Sequence, residues 1–125
     1  MIRMAGHDLM DLRMDYYGNL IGGSDGCVNF FDPDNDGLTT CLINFGYLDI
    51  YNHVCHRISL ADFLVVAAEA AMIATDPDYD ENDTYKEGSI AWNLMKNFKF
   101  GRKTNLNCKE AAGTLPAGTA GCEGP

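Results

Sequence analysis

The chain has 125 residues, with 18 acidic against 9 basic side chains and 46% hydrophobic content, enough for one domain (1–125) whose core is only just large enough to fold alone. Its net charge of −9 argues against nucleic acid and against an anionic membrane surface as partners, because both need a positive footprint. The most continuous apolar run, Phe63 to Ala68, stops at Glu69, too short for a membrane span, and this much apolar content argues against disorder.

In chain order, Ile2, Ala5, Leu9 and Leu12 recur at helical spacing and predict a helix over residues 1–15. Gly18, Gly22, Gly23 and Gly26 make the next segment a loop, which Asp32-Pro-Asp-Asn-Asp-Gly continues. Leu38, Leu42, Phe45 and Leu48 suggest a second helix, with Gly46 as its weak point. Ser59-Leu-Ala-Asp62 reads as a capping box opening the best helix of the chain, which runs to about Thr75. Residues 76–88 are an acidic, proline-bearing insertion without periodicity. Residues 89–97 suit a short helix or strand, and the tail from Thr104 is irregular. The predicted class is mainly α with long loops and no internal repeat.

Five cysteines exceed what a reducing compartment usually shows, and Asn82-Asp83-Thr84 is a glycosylation sequon. Met1 to His7 lacks the layout of a secretory signal. Together these features predict a mature or partial chain of a secreted, extracellular protein, with an odd thiol free or paired elsewhere. The tail lacks periodicity and needs a covalent tie, so a Cys108–Cys122 bridge is expected, with Cys27, Cys41 and Cys55 supplying at most one more.

Three clusters carry candidate chemistry. Arg3 and His7 share a helix face four residues apart, where an imidazole could take a proton while the cation stabilises negative charge. Asp32, Asp34, Asp36 and Gly37 fit the first half of an EF-hand loop, but Ile43 stands where its last glutamate belongs. Asp76, Asp78, Asp80 and Glu87 fit the ligand spacing, but Glu81 occupies the glycine position, so that loop reads as solvated acid. His53 and His56 bracket Cys55 without a second Cys/His pair at zinc-finger distance, and read as ordinary residues at a helix end.

In order, these elements resemble the distal half of a plant-type haem peroxidase, nearest the secreted fungal class. Arg3-Met-Ala-Gly-His7-Asp8 is similar to the family's distal helix motif. Gly22-Gly-Ser-Asp-Gly-Cys27 resembles its calcium loop, and Asn35-Asp-Gly-Leu38 its Asn-x-Gly-Leu. Ile58 to Ala71 resembles its Val-Ser-x-Ala-Asp helix, Phe100-Gly-Arg102 its Gly-Arg turn, and Leu115-Pro116 a proline segment near the haem edge. The resemblance implies a haem-peroxidase-like distal helical half with calcium-binding-type loops, haem b and calcium as cofactors, and hydrogen peroxide and a reducing substrate as reactants. It makes His7 the base that moves the peroxide proton, Arg3 the charge stabiliser and Asn35 the acceptor that orients the imidazole, with Pro116 beside the haem. Asp8, the Gly23 carbonyl and Asp25 would hold the calcium. Asp62 and Arg102 would form a buried ion pair tying the long helix to the Gly-Arg turn.

Departures from the pattern are equally specific. Gly6 stands where the family has an aromatic residue, Cys27 where it has a hydroxyl ligand to calcium, and Asn29 where a glutamate backs up the asparagine. Of the three histidines, neither His53 nor His56 matches the proximal haem ligand. The chain alone is therefore not expected to be a working peroxidase. The remainder of the domain, or a second chain, is expected to cover the haem side. The alternatives are a non-catalytic peroxidase-like extracellular module and a small acidic calcium-binding helical protein.

Overall fold

The structure is a computed structural model and describes residues 1–76, 80 and 86–108. Helix α1 spans Ile2–Met10 and is followed by a two-stranded hairpin, β1 (Arg13–Met14) and β2 (Leu20–Ile21). A single 3-10 turn at Pro33–Asn35 leads into α2 (Leu38–Asn44), α3 (Tyr47–Val54), α4 (Leu60–Ala74) and α5 (Ile90–Asn97). The described chain is mainly α.

Helix α1 ends earlier than its apolar spacing predicts. The Asp11 carboxylate accepts the Gly23 N–H, and Arg13 and Met14 then pair antiparallel with Ile21 and Leu20. The Asp15 carboxylate closes the hairpin by accepting the N–H groups of Tyr17 and Asn19 at 2.9 and 2.8 Å. Tertiary and turn hydrogen bonds thus replace the last turn of the expected helix.

The predicted second helix is two helices. Gly46 sits between them at φ 67°, a left-handed conformation that separates α2 from α3. At α4, Ser59 Oγ accepts the Asp62 N–H at 3.1 Å, which is one half of the expected capping box. The Asp62 carboxylate does not return to Ser59; it turns to the segment after α5. Ser59 is not the sole cap, because Thr104 Oγ1 accepts the Leu60 and Ala61 N–H groups at 3.0 and 3.4 Å. Residues 89–97, open between helix and strand in the sequence, form α5 with Ser89 Oγ accepting from Trp92 N–H.

The core gathers Met4, Val28, Leu38, Phe63 and Leu64, with Tyr51 packed on Phe63 at 5.0 Å between ring centroids. Helix α4 packs against α1 and α5. The stripe of Ile2, Leu9 and Leu12 is about half exposed, whereas Met4, His7, Asp8 and Asp11 are buried. On this first segment the polar side chains face inward and much of the apolar stripe faces out. No described helix is long and apolar enough to cross a membrane.

The expected Cys108–Cys122 bridge is corrected by the structure, in which Cys108 is bonded to Cys27, with Cα atoms 5.1 Å apart. The reason is that the segment from Thr104 to Cys108 is not a detached tail. The Asn105 N–H donates to the Asp25 carbonyl at 2.9 Å, and Asn105 Nδ2 donates to the Asp25 carboxylate at 3.1 Å. These bonds lay residues 104–108 along the glycine loop, where Cys27 waits. Cys55 carries a free, exposed thiol. Cys122, Pro116 and the sequon at Asn82 lie outside the described residues, as does much of the acidic insertion.

Candidate functional site

The buried face of α1 is polar because two loops bring donors and acceptors to it. His7 Nδ1 and Asn35 Oδ1 lie 2.8 Å apart, in a buried contact that joins α1 to the 3-10 turn. Asn35 Nδ2 donates to the Asn29 carbonyl at 2.8 Å. A carbonyl can only accept, so the asparagine amide has one possible orientation, with its oxygen toward the imidazole. His7 Nδ1 must then carry the proton, and in the neutral ring Nε2 is left as the acceptor. Asn29 stands where the resembling family has a glutamate behind the asparagine, and it is the backbone carbonyl of Asn29, rather than its side chain, that anchors Asn35.

The 3-10 turn that presents Asn35 follows from local chemistry. Asp32 Oδ1 accepts the Asp34 N–H at 2.9 Å as an N-cap, and Pro33 fixes the first position. Arg3 holds the same turn from the other side, donating to the Asp34 and Asp36 carbonyls at 3.0 and 3.1 Å. Arg3, His7 and Asn35 are therefore brought together, with the Arg3 guanidinium on the loop backbone. The Asp32–Gly37 loop does not fold as a cation loop: the backbone carbonyls of Asp34 and Asp36 serve Arg3. Gly6 leaves open space beside His7, where an added Cβ would meet only the Met10 methyl, at 3.8 Å.

One turn further on, Asp8 is buried and accepts the Gly26 and Cys27 N–H groups at 3.1 and 3.0 Å. Burial raises its pKa to about 7, helped by the charges of Asp25 and Asp11, and the two amide hydrogen bonds only partly oppose this. Burial also raises the pKa of Asp11, against the Gly23 amide. The glycines of this loop are required by close approach. A Cβ at Gly22 would lie 2.5 Å from the Asp11 carboxylate, and one at Gly26 would lie 2.8 Å from the Ala61 nitrogen, both at positive φ. The loop therefore wraps three carboxylates while resting on the start of α4.

Asp8 and Asp25 do meet at one loop, both accepting the Cys27 N–H, while the Gly23 carbonyl accepts the Asp25 N–H at 2.6 Å. Among the described residues no group of three or more His, Cys, Asp or Glu side chains is disposed to hold a metal. Cys27 is in a disulfide and is no ligand. Asp11, Asn105 and Thr104 were not singled out in the sequence. Asp11 alone carried a signal, since it shares the helix face of Asp8 three residues earlier.

Asp62 and Arg102 form the ion pair, with Nη1 to Oδ1 at 2.9 Å; Asp62 is buried and Arg102 about one-third exposed. Asp62 also accepts the Gly101 N–H at 2.8 Å. Burial pushes its pKa up, but the hydrogen bonds from Gly101 and Arg102 and the guanidinium charge outweigh it and hold the carboxyl below its ordinary value. His53 Nδ1 lies 2.7 Å from the Asp49 carbonyl within α3, and His56 is exposed in the turn after it.

No family model, no curated protein and no solved structure matches the chain.

Proposed function

We propose that this chain is the distal portion of a secreted haem peroxidase that reduces hydrogen peroxide while oxidising a donor. The observation that supports this best is the buried Asn29–Asn35–His7 relay, which leaves an unprotonated Nε2 on a histidine whose neighbour four residues back is an arginine. Two features support haem b as the group held here: Gly6 leaves room beside His7, and Arg3 and His7 share a helix face. Pro116 is assigned to the haem edge by resemblance. When bound, haem would supply the redox-active iron at which the peroxide bond is cleaved.

His7 Nε2 would take the proton from one peroxide oxygen and return it to the leaving oxygen. Asn35 supports both steps, because its carbonyl oxygen stabilises the Nδ1–H as the ring gains charge. Arg3 would contribute positive charge near the leaving oxygen. Neither His53 nor His56 matches the position of the proximal haem ligand in the resemblance, so this reading takes the axial ligand from another polypeptide. The outward stripe of Ile2, Leu9 and Leu12 gives that polypeptide an apolar surface to cover. Calcium is assigned to Asp8, Asp25 and the Gly23 carbonyl. Hard oxygen donors suit it, and its charge would offset the burial cost that raises the Asp8 pKa to about 7.

A second reading, a non-catalytic extracellular module, draws on one observation: the Arg3 guanidinium is already bound to two loop carbonyls. The test is the absorption spectrum of the protein purified from its source. A Soret band with peroxide-dependent donor oxidation is expected. A colourless protein would overturn the proposal and leave the second reading.

A further inference from the structure

Beside the core, and apart from His7 and Arg3, lies a half-enclosed cavity of about 390 Å³. Its walls come from α1, α2, α3, α4 and the 104–108 segment, including Met4, Leu42, Tyr51, Phe63, Leu64 and Leu106. Protein interiors seldom leave voids much larger than a water molecule. A cavity of about 150 Å³ with similar walls already stays dry and takes up benzene. This one falls in the range of about 300–1,000 Å³ that small-molecule sites occupy.

The lining restricts the ligand. Among the described residues, no Lys, Arg, His, Asp or Glu lines it. A charged ligand would lose its hydration there without a countercharge. Of its polar side chains, Thr104 Oγ1 already accepts two amides, and Asn105 is bound to Asp25 and to the Asn107 N–H. Tyr47 and Tyr51 remain, and neither hydroxyl donates a hydrogen bond among the described residues. A few waters there would find too few partners to satisfy them.

We propose that this cavity is a binding site for a neutral, largely apolar small molecule with a single hydrogen-bonding group. The site is independent of the peroxidase reading, because it shares no residue with Arg3, His7 or Asn35. A ligand there would bridge the helices to the disulfide-anchored segment, since Cys108 is part of the wall.

The experiment is fluorescence titration of the full chain with the neutral probe N-phenyl-1-naphthylamine. One saturable site per chain is expected, displaced by dodecanol and not by dodecanoate at pH 8. Leu42→Trp, which fills the cavity, and Leu48→Trp, at its half-exposed mouth, are each expected to weaken the probe about tenfold or more. Leu48→Trp changes a side chain already partly in solvent, so it reports even if the deeper variant does not fold. Equal binding in folded Leu48→Trp would place the probe elsewhere and overturn the proposal. So would equal displacement by dodecanoate, absence of saturation, or a site that appears only as chains dimerise.

Discussion

Asp8 and Asp62 are both buried carboxylates at helix positions, and both accept backbone N–H groups from a distant loop, Gly26 and Cys27 in one case and Gly101 and Arg102 in the other. Yet the pKa of Asp8 rises to about 7 while that of Asp62 falls below its ordinary value. Burial is the largest cause at Asp8, and the charges of Asp25 and Asp11 add to it; at Asp62 the hydrogen bonds from Gly101 and Arg102, together with the guanidinium charge, outweigh burial. Asp62 has the Arg102 guanidinium at 2.9 Å, whereas Asp8 shares its surroundings with Asp25 and Asp11. Backbone amides hold both buried carboxylates in place, but only Asp62 adds a hydrogen-bonded cation to them, and together these overcome burial. The region around α4 brings its own cation; the glycine loop is the region to which the proposed function brings one.

The largest expected effect comes from the bond joining these regions. Cys27 and Cys108 are 81 residues apart, so closing that loop is worth about 4.5 kcal/mol in chain entropy. Cys108→Ser is expected to lower the unfolding midpoint by a corresponding amount in chemical denaturation. Peptide mapping is expected to find Cys27 linked to Cys108; a Cys108–Cys122 peptide would break the account of how the loop is anchored.

Next is the countercharge itself. Asp62→Ala leaves the Gly101 N–H and Arg102 without their acceptor, and is expected to cost about 3 kcal/mol, reduced from a fully buried pair because Arg102 is partly exposed. The folded pKa of Asp62 is depressed, so its stabilisation is present above the ordinary carboxylate value and is lost as pH falls through the lower, folded value. Acid titration of the wild type against Asp62→Asn reads this directly: the wild type alone is expected to lose that increment at low pH.

Asp8 is expected to show the opposite sign. Its folded pKa is raised, so its contribution is present below the ordinary carboxylate value and is lost as pH rises through about 7. Calcium at a hundredfold its dissociation constant is expected to stabilise the chain by about 2.7 kcal/mol at pH 8, and by less as protons compete below pH 7. Thermal melts with and without calcium at both pH values check this. Calcium-independent melting at pH 8 would remove the ion from the account and leave Asp8 as a structural residue.

Part of this was legible in the sequence. Ser59 announces a helix start by local chemistry, and α4 opens there; Gly46, read as the weak point of one helix, instead separates two. Arg3, His7 and Asn35, grouped in the sequence only by resemblance, also come together in the structure, with His7 and Asn35 28 positions apart in the chain. The end of α1 was not legible. It depends on Asp11 meeting Gly23, a contact made only after the loop folds back. The disulfide partner of Cys108 was hidden for the same reason, since Asn105 must first dock on Asp25. Local spacing could not show that much of the apolar stripe of α1 faces outward, because buried hydrogen bonds of Asp8 and Asp11 set the rotation of the helix.

The smallest effect concerns the relay. Asn35→Ala strands the buried His7 Nδ1–H and the Asn29 carbonyl, and is expected to cost about 2 kcal/mol in denaturant unfolding. A cost near zero would mean that water replaces the asparagine without loss.

The central claim is that Asn35 holds His7 as a base with its proton on Nδ1, and nitrogen-15 NMR of the imidazole tests it most directly. The account predicts, in the neutral ring, a protonated Nδ1 and an unprotonated Nε2, with that preference lost in Asn35→Ala. A neutral ring protonated on Nε2 in the wild type, or one unchanged by Asn35→Ala, would contradict it.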